Sequence, residues 1–498
     1  MIRSAFVLPF LALSTTLAAG CWPEPSDLLG LDDEAFIQHL DDAVPGWMEY
    51  YGISGAAILL LWEGNPVWSG AYGLADREEN RPLSTSTPMM THSISKSVTA
   101  WGVMKLVQDG RIGLDDPVSP YLRRWSFPES KYDRDRVTVR QLLSHSAGLP
   151  LGTLGVHYDP GDELPSVPEH LSAEDARLIW EPGSAFAYSN LGYAILELLV
   201  EDVTGRPFDE YMRDEVLLPL GMQGSSFTWD EESHSHVPTG YDLRGNAVPP
   251  YVYPARASGG LLSTLEDVGR FVAAGMTNLP GEPGNPVLSR ESLVEIHAHQ
   301  EPVSGLFSFV AESYGLGVFV ETVGQGQRAV WHGGQGKGWM THFHAVPETG
   351  DGIVLLTNSQ RSWPFMALLL SDWARWRDLA PVGMARITTA SRAMNVTVAL
   401  VILIFGWRGW RVGRGIITGR RRLGLSLRKG SRPRFRDLLL GTTILLILLW
   451  AVTRDYLFIS SLFPTATVWL GFSSLALGVL LLVSGLFPRQ KQDASDRS

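Results

Sequence analysis

The sequence predicts an α+β fold, with an antiparallel sheet flanked by helices, followed by three C-terminal transmembrane helices. Strand-like segments occur at both ends of residues 27–385, and the region between them, about 80–310, is helical or loop-rich. Strands from both chain ends that enclose a helical insertion indicate a mixed domain with a mainly helical lobe. Three apolar stretches within residues 388–488 predict the membrane helices. At 498 residues the chain is long enough for both units.

The predicted strands follow from apolar segments separated by turn signals. Residues 55–62 and 66–74 form a hairpin around the turn Glu63-Gly64-Asn65. The helical spacing of apolar residues predicts helices at 32–51 and 363–376, which begin and close the domain. Four further strands are predicted near the C-terminal end of the domain, at residues 316–321, 328–332, 339–345 and 352–358.

Residues 1–21 have the composition of an export signal, because Arg3 precedes an apolar run and small residues precede Cys21. Cys21 is the single cysteine of the chain, so no internal disulfide can form. Two interpretations of this cysteine stay open. It is either the lipid-modified first residue of a lipoprotein or a bystander next to an ordinary cleavage site. Both interpretations place the following domain outside the cytoplasm.

The three apolar stretches are residues 393–407, 438–452 and 465–487. Residues 408–436, between the first two, contain eleven Arg and Lys and no Asp or Glu. Basic loops stay on the cytoplasmic side of membranes, so the domain before residue 393 is predicted in the periplasm or extracellular space. The expected partner of this segment is the lipid bilayer. One short basic loop in a chain of net charge −11 does not indicate nucleic-acid binding.

The first candidate motif pairs Ser93 with Lys96 at the start of a predicted helix that ends at Asp109-Gly110. Residues three apart share a helix face, so the hydroxyl and the amine should lie side by side. A lysine can accept a proton only if burial or positive neighbours lower its pKa. The pair alone is weak evidence, since Ser426 and Lys429 have the same spacing in the basic loop.

The second motif is Tyr188-Ser189-Asn190, directly before a helix predicted from 191 to 203. A tyrosine there can relay protons if a cation lies nearby, and an asparagine offers a donor and an acceptor to a substrate amide. The alternative is purely structural: an edge tyrosine followed by Asn190 as the N-cap of the helix.

The third motif is His332-Gly333-Gly334 within a predicted strand. Glycines allow a substrate to approach the backbone closely along the strand edge. The amide of Gln335 could pair with that of Ser93 to hold an oxyanion. The alternative is a hairpin with two flexible glycines.

In this order the three motifs resemble those of the penicillin-recognising serine hydrolases, which are Ser-x-x-Lys, Tyr-x-Asn and Lys/His-[Thr/Ser/Gly]-Gly. The similarity is closer to the branch that contains class C β-lactamases, DD-peptidases, D-aminopeptidases and related esterases. Segments 141–150 and 258–264 also resemble that branch. The resemblance covers about residues 30–375 and implies a β-lactamase/transpeptidase-like fold.

The resemblance also implies roles for individual residues. Ser93 would be acylated, Lys96 and Tyr188 would carry its proton, Asn190 would orient the substrate, and the strand at 332–334 would line the site. Which of Lys96 and Tyr188 acts as the first base stays open. The implied function is that of a serine hydrolase. It would break a peptide, amide or ester bond of a small-molecule or peptide substrate and form an acyl-serine intermediate. No metal or organic cofactor is expected.

One departure from the family concerns His332, because β-lactamases and DD-peptidases usually have a lysine there. A histidine is mostly neutral at pH 7, so we expect weak or absent β-lactamase activity. Arg256 and Lys337 are other candidate cations for a substrate carboxylate. His145, within segment 141–150, is assigned a structural role in its turn.

Two functions other than a serine hydrolase are also compatible with parts of the sequence. Zinc binding rests on the His-x-His pairs 234/236, 297/299 and 342/344, but no HExxH motif or carboxylate-bearing histidine cluster accompanies them. The second rival is a membrane-bound sensor of penicillin or cell-wall fragments, acylated at Ser93 without efficient turnover. The short cytoplasmic loop shows no output domain, and the sequence therefore favours the enzyme.

Overall fold

The computed structural model describes residues 28–152, 157–230, 236–276, 285–324, 326–424, 432–454 and 457–488. The chain forms two compact units, one of residues Leu28–Ile387 and one that contains the C-terminal segment from Thr388. The predicted export signal and Cys21 lie outside the described residues.

The first unit contains a sheet of nine antiparallel strands within the described residues, in the order β3-β2-β1-β13-β12-β11-β10-β9-β8. The pair β1–β13 joins the two ends of the domain, with Leu59 opposite Val354. This confirms that strands from both chain ends form one sheet around a helical insertion. The strands are β1 Gly55–Trp62, β2 Asn65–Asp76, β3 Arg81–Pro82, β4 Met89–Met90, β5 Gly240–Tyr241, β6 Ala247–Val248, β7 Leu262–Ser263, β8 Glu301–Pro302, β9 Ser313–Tyr314, β10 Phe319–Val323, β11 Gln327–Gln335, β12 Met340–Val346 and β13 Asp351–Thr357.

Strand β10 begins at Phe319, three residues later than the sequence predicted. A turn occupies the preceding residues, in which the Gly315 N–H donates to the Val318 carbonyl at 2.8 Å. Gly317 has φ +84°, and a Cβ there would lie 3.1 Å from the carbonyl oxygen of Lys96. The glycine therefore lets this turn pack against the helix that carries Lys96, which apolar periodicity alone does not reveal.

Helices cover both faces of the sheet. On one face, the first and last helices of the domain pack together, with the rings of Phe36 and Trp376 stacked at 4.1 Å. On the other face Phe271 packs edge-on against Phe343 of β12 at 6.1 Å. The helices of the first unit are α1 Asp33–Tyr51, α2 Ile94–Gln108, α3 Val139–Leu143, α4 Val167–Ala173, α5 Asn190–Thr204, α6 Phe208–Met212, α7 Leu265–Ala274, α8 Arg290–Ile296 and α9 Trp363–Trp376.

Helix α2 lies at the junction of the sheet and the helical lobe. Twelve of its fifteen residues are buried, including the polar Lys96. The Thr341 hydroxyl of β12 donates to the Thr91 carbonyl at 2.7 Å, just before the helix begins. This contact ties the start of α2 to the middle of the sheet and holds Ser93 at the junction.

The C-terminal unit contains, among the described residues, three helices long and apolar enough to cross a membrane. They are α10 Arg386–Ile417, α11 Arg432–Val452 and α13 Pro464–Leu486, with the short α12 Phe458–Leu462 before the last. Helices α11 and α13 approach closely, since a Cβ on Gly441 would lie 2.8 Å from the Gly478 carbonyl oxygen. Buried Asp437 accepts from the Arg408 guanidinium at 3.2 Å and from the Ser484 hydroxyl at 2.9 Å, which connects all three long helices.

Candidate active site

Ser93 occupies the N-cap position of α2, but its hydroxyl makes no capping hydrogen bond to the helix backbone. The preceding residue, His92, is buried and has φ +50°, a backbone conformation that is uncommon for a residue with a Cβ. The turn therefore places Ser93 at a helix start while leaving its hydroxyl available to other side chains. Lys96, one turn further along α2, lies on the same side of the helix as Ser93, as the sequence predicted.

Lys96 is fully buried and its amine contacts three oxygen atoms. The Nζ atom lies 2.6 Å from the Ser258 carbonyl oxygen, 2.8 Å from the Asn190 Oδ1 and 3.3 Å from the Ser93 Oγ. Burial holds the pKa of Lys96 well below its ordinary value of 10.5, because the charged form loses its hydration. Sequence spacing does not predict the contact with Ser258, although segment 258–264 resembles the family.

Asn190 is the first residue of α5, and the N-cap of this helix is Ser189. The Ser189 hydroxyl accepts from the Gly192 N–H at 3.1 Å. The alternative in which Asn190 caps the helix is therefore wrong. Because Ser189 fills that position, the Asn190 side chain is available to contact Lys96.

Tyr188 lies over Lys96, with the Nζ atom 5.0 Å from the centre of its ring. Its hydroxyl interacts with Ser93, and this interaction favours the phenolate by less than burial opposes it. Burial has the larger effect and raises the pKa of Tyr188 above its ordinary value, so the phenol stays protonated. The structure thus brings together Ser93, Lys96, Tyr188 and Asn190 from two separate segments.

His145 contacts this cluster directly. Its ring centre lies 4.2 Å from that of Tyr188, and its Nδ1 accepts from the Ser189 N–H at 3.1 Å. Desolvation lowers the pKa of His145, so the ring is neutral and able to accept. The sequence placed this histidine in a structural turn without linking it to Tyr188, because spacing along the chain carries no information about that contact.

The strand with His332, Gly333, Gly334 and Gln335 is β11, which passes beside the start of α2. A Cβ on Gly334 would lie 2.1 Å from the Thr91 carbonyl oxygen, so only glycine permits this approach. The Gln335 Oε1 accepts from the indole N–H of Trp363 at 3.3 Å. The pairing of the Gln335 and Ser93 amides around an oxyanion stays a prediction.

The side chain of His332 is buried, with only 1% of its surface exposed. Its Nε2 lies 3.1 Å from the Tyr314 hydroxyl, and its Nδ1 lies 2.9 Å from the Gly333 carbonyl oxygen. Burial lowers the pKa of His332 to about 3. The ring is therefore neutral at physiological pH and cannot supply a positive charge to a substrate carboxylate.

The two other candidate cations have different surroundings. The Arg256 guanidinium forms an ion pair with Asp209 at 2.9 Å, which offsets its charge. Lys337 is exposed, and its backbone N–H donates to the Tyr251 hydroxyl at 2.9 Å. The site thus holds a serine, a buried amine and a phenol beside a largely neutral strand.

The histidine pairs behind the zinc alternative have ordinary structural contacts where they are described. His342 and His344 alternate with Thr341 on β12, so they face away from the Thr91 contact. Their rings are fully buried, and the His342 Nε2 lies 3.4 Å from the His344 Nδ1. His234 lies outside the described residues. Within the described part of the chain, no group of three or more His, Cys, Asp or Glu side chains could hold a metal ion.

This fold and this cluster define the class of protein as a serine hydrolase of the β-lactamase and penicillin-binding-protein type. The chain belongs to the β-lactamase family, whose model, described as "Beta-lactamase", matches residues 40–370. The matched range contains β1 to β13 and every residue of the candidate site.

Individual relatives agree with this assignment. Penicillin-binding protein 4 of Amycolatopsis lactamdurans is 28% identical over 328 residues, which cover 64% of this chain and 84% of that protein. The octameric penicillin-binding protein homologue from Pyrococcus abyssi is 28% identical with a TM-score of 0.57, over 67% of this chain and 77% of that one. A class C β-lactamase shares the fold at 20% identity and a TM-score of 0.55, over 66% and 93% of the two chains.

Proposed function

We propose that this protein is a membrane-anchored serine hydrolase that acts outside the cytoplasm through a covalent acyl-Ser93 intermediate. Its substrate carries a peptide, amide or ester bond. The observation that carries the proposal is the set of contacts of Lys96, whose buried amine lies within reach of the Ser93 hydroxyl. A serine hydroxyl is a weak nucleophile until an adjacent base takes its proton.

The contacts of Lys96 are compatible with the neutral amine as that base. Two of its neighbours, the Ser258 carbonyl and the Asn190 Oδ1, can only accept hydrogen bonds, and they make the two shorter contacts. A neutral amine has two N–H bonds for these acceptors and a lone pair left for the Ser93 proton. The lowered pKa of Lys96 supports the same protonation state. We therefore assign the first proton transfer to Lys96.

Tyr188 is suited to the opposite task. Because burial raises its pKa, the phenol is protonated and can donate to the atom that leaves the acyl carbon. The Lys96 ammonium, which holds the proton taken from Ser93, then replaces that proton. Asn190 and the backbone of β11 orient the substrate amide or ester, and the Ser93 and Gln335 amides hold the oxyanion. Water finally hydrolyses the acyl-serine ester.

The proposed placement rests on the charge of the C-terminal unit. The basic loop between α10 and α11 favours the cytoplasmic side, which leaves the hydrolase domain on the outer side. The N-terminal signal pattern requires the same orientation. The long helices serve as the anchor, and their apolar surfaces face the bilayer lipid.

The test uses the full chain purified in detergent, as wild type and as Ser93→Ala. Ser172→Ala is the matched control, because Ser172 is exposed and bonds only within its own helix turn. Each protein is incubated with a fluorescent penicillin, p-nitrophenyl esters and D-alanyl peptides, and its intact mass is measured. We expect Ser93-dependent turnover and a transient mass increase by one acyl group in wild type and the control.

The outcomes of this test separate the alternatives. If the protein turns substrates over, the substrate with the highest rate would assign it as an esterase or a peptidase. A stable Ser93 adduct without turnover would assign the sensor function instead. Equal activity in wild type and Ser93→Ala would overturn the proposal.

A further inference from the structure

An apolar loop, residues Gly305–Phe309, is exposed on the surface of the first unit. Leu306 is 71% exposed, Phe309 is 41% exposed and Phe307 is 39% exposed. Residues 302–311 contain no Asp, Glu, Lys or Arg. Single exposed apolar side chains are normal on soluble proteins, but a contiguous apolar patch is typical of a surface that contacts a membrane or another molecule.

Both ends of the apolar loop are held in place by the domain. Val303 before the loop and Ala311 after it are buried in a small aromatic cluster. Within the loop, the Ser308 hydroxyl donates to the Gly305 carbonyl at 2.7 Å. The exposed Leu306 and its neighbouring rings therefore belong to an ordered turn that the fold presents outward.

The apolar loop packs against the segment through which the chain leaves the first unit. The Arg386 guanidinium donates to the Phe309 carbonyl at 3.2 Å. A Cβ on Gly383 would lie 2.1 Å from the carbonyl oxygen of Val310, the residue after the loop, so only glycine permits this contact. Arg386 is the first residue of α10. The apolar loop thus lies where the first candidate membrane helix begins.

The length of α10 places its start near the membrane surface. The apolar stretch 393–407 is about 22 Å long as a helix, shorter than a hydrocarbon core of about 30 Å, so its flanks must also enter the bilayer. A span of about 20 residues that ends with this stretch begins near Thr388, with the Arg392 side chain reaching outward. Arg386 therefore lies close to the lipid headgroups, and so does Phe309, which is bonded to it.

We propose that the apolar loop docks onto the lipid bilayer, with Leu306 and Phe309 inserted into the leaflet at the N-terminal end of α10. The inference rests on the proposed anchoring of α10 in the membrane and is independent of the hydrolase activity. It goes beyond an anchor, because a second point of attachment fixes the orientation of the domain on the membrane.

The surroundings of the loop favour lipid over a protein as its partner. Because α10 already holds the domain at the bilayer, docking is in effect intramolecular, and a small apolar surface is sufficient. A protein partner that diffuses freely has no such advantage. The exposed Arg386 also adds a positive charge beside the loop, which anionic headgroups attract.

Docking would bring one side of the candidate site to the membrane. The Phe307 ring stacks on the Tyr188 ring at 5.2 Å, so the apolar loop borders the site on the Tyr188 side. Tyr188 in turn interacts with Ser93. The docked loop therefore places the Tyr188 side of the site next to the lipid surface.

The test measures the membrane depth of single fluorescent labels on the full chain, reconstituted in nanodiscs of phosphatidylcholine and phosphatidylglycerol. Cys21→Ser removes the single native thiol, and Leu306→Cys, Leu218→Cys or Leu400→Cys provides one labelling site. Leu218 is 51% exposed in the helical lobe, and Leu400 is 53% exposed on α10. A nitroxide-bearing lipid quenches labels within the bilayer, and iodide quenches labels in water.

We expect the nitroxide lipid to quench the label at position 306 by about threefold more than the label at 218, because a docked side chain lies about 5–10 Å into the leaflet. Iodide should quench these two labels in the opposite order. The label at position 400 reports the anchor, and the nitroxide lipid should quench it strongly.

A charged substitution tests whether the apolar side chains cause the docking. Phe309→Glu should lower the nitroxide quenching at position 306 to the level at position 218, since a carboxylate opposes insertion into lipid. Val67→Glu is the matched control, because Val67 is 44% exposed on β2. It should leave the quenching at position 306 unchanged.

The outcomes distinguish the docking from the anchor. Nitroxide quenching at position 400 together with iodide quenching at position 306 would overturn the docking and leave the anchor intact. Protection of position 306 from both quenchers would mean that protein covers the loop, which would also overturn the docking, as would unchanged quenching in Phe309→Glu. Absence of nitroxide quenching at position 400 would overturn the anchor and the docking together.

Discussion

The Nδ1 atom of His145 accepts a hydrogen bond from the backbone N–H of Ser189 at 3.1 Å. The carbonyl of the same histidine accepts from the Ala187 N–H at 2.7 Å. His145 therefore holds the residues on both sides of Tyr188, and its ring packs on the tyrosine ring. It is a positioning residue for Tyr188, which in turn contacts Ser93.

Replacing His145 should separate positioning from folding. His145→Ala removes the acceptor for Ser189, so we expect kcat to fall by about 10- to 100-fold with little change in KM, since a misplaced proton donor slows chemistry more than binding. His145→Asn keeps a comparable acceptor, and asparagine tolerates the φ of +59° at this position. It should recover most of the activity. Steady-state kinetics with a p-nitrophenyl ester measure both values.

An equal loss in His145→Asn and His145→Ala would contradict this role. A loss of thermal stability that parallels the loss of activity in both variants would indicate a purely structural histidine.

The pH dependence of the reaction should report the titration of Lys96. The amine accepts the Ser93 proton only when neutral, and its neutral fraction rises as the pH passes through its pKa in the folded protein. Burial lowers that pKa from 10.5, so kcat/KM should increase with pH and reach its plateau well below pH 10.5. Measurement from pH 5 to 10 with an uncharged ester checks the position of this rise.

Lys96→Arg is the matched test of the base, because arginine keeps a positive charge and cannot release its proton in this range. We expect kcat/KM to fall by about 10²- to 10⁴-fold, the usual contribution of a general base. Activity within a few-fold of wild type would assign the first proton transfer to Tyr188 instead.

Because His332 is neutral, we expect substrates that carry a carboxylate to react slowly. With a pKa of about 3, its ring carries no charge between pH 5 and 8, and it is bonded to Tyr314 instead. A chromogenic cephalosporin, which needs a cation for its carboxylate, should be turned over slowly or not at all by the full chain. A neutral ester should react faster than the same ester bearing an acyl-chain carboxylate. Efficient cephalosporin hydrolysis would contradict this expectation.

Local patterns in the sequence predicted much of this fold. The predicted helix at 363–376 coincides with α9, and the hairpin at 55–74 matches β1 and β2 within two residues. These elements have strong apolar periodicity and clear turn residues, which act within a few positions of each other. The three apolar stretches likewise lie within α10, α11 and α13, apart from one terminal residue, Phe487, because span length and composition are local properties.

The candidate site was predictable only where residues are close in the chain or carried by a motif. Ser93 and Lys96 share a helix turn, whereas the Lys96–Ser258 contact joins residues 162 positions apart. Ser189 and Asn190 are both residue types that cap helices, and only the backbone angles show that Ser189 takes the N-cap position.

The packing of α11 against α13 predicts a sharp difference between two glycines. At Gly441 a side chain would collide with the Gly478 carbonyl and with Leu482, whereas no atom lies within 4 Å of a Cβ on Gly471. Gly441→Leu should therefore separate the two helices and lower the melting temperature of the C-terminal unit in detergent. Gly471→Leu should leave it near wild type. Equal melting temperatures for both variants would show that α11 and α13 do not pack through Gly441.

Glu197 makes folding stability depend on pH. Glu197 is 1% exposed, and its carboxyl group accepts from the Ala257 N–H at 2.8 Å. Ala257 directly precedes Ser258, whose carbonyl accepts a hydrogen bond from Lys96. Burial raises the pKa of Glu197 to about 8, against 4.5 in its ordinary state. At a pH between 4.5 and about 8, Glu197 keeps its proton in the folded protein and releases it in the unfolded chain. The stability that this group contributes is thus full below pH 4.5 and falls, by about 1.4 kcal/mol per pH unit, until the pH reaches about 8.

Glu197→Gln keeps the acceptor for Ala257 but has no proton to release. The variant should lose less stability than wild type as the pH rises from 5 to 8, and Glu34→Gln, at an exposed position on α1, should follow wild type. Denaturant unfolding of the full chain in detergent at several pH values measures the difference between the proteins, in which contributions common to all three cancel. Parallel curves for wild type and Glu197→Gln would mean that Glu197 is ionised in the folded state.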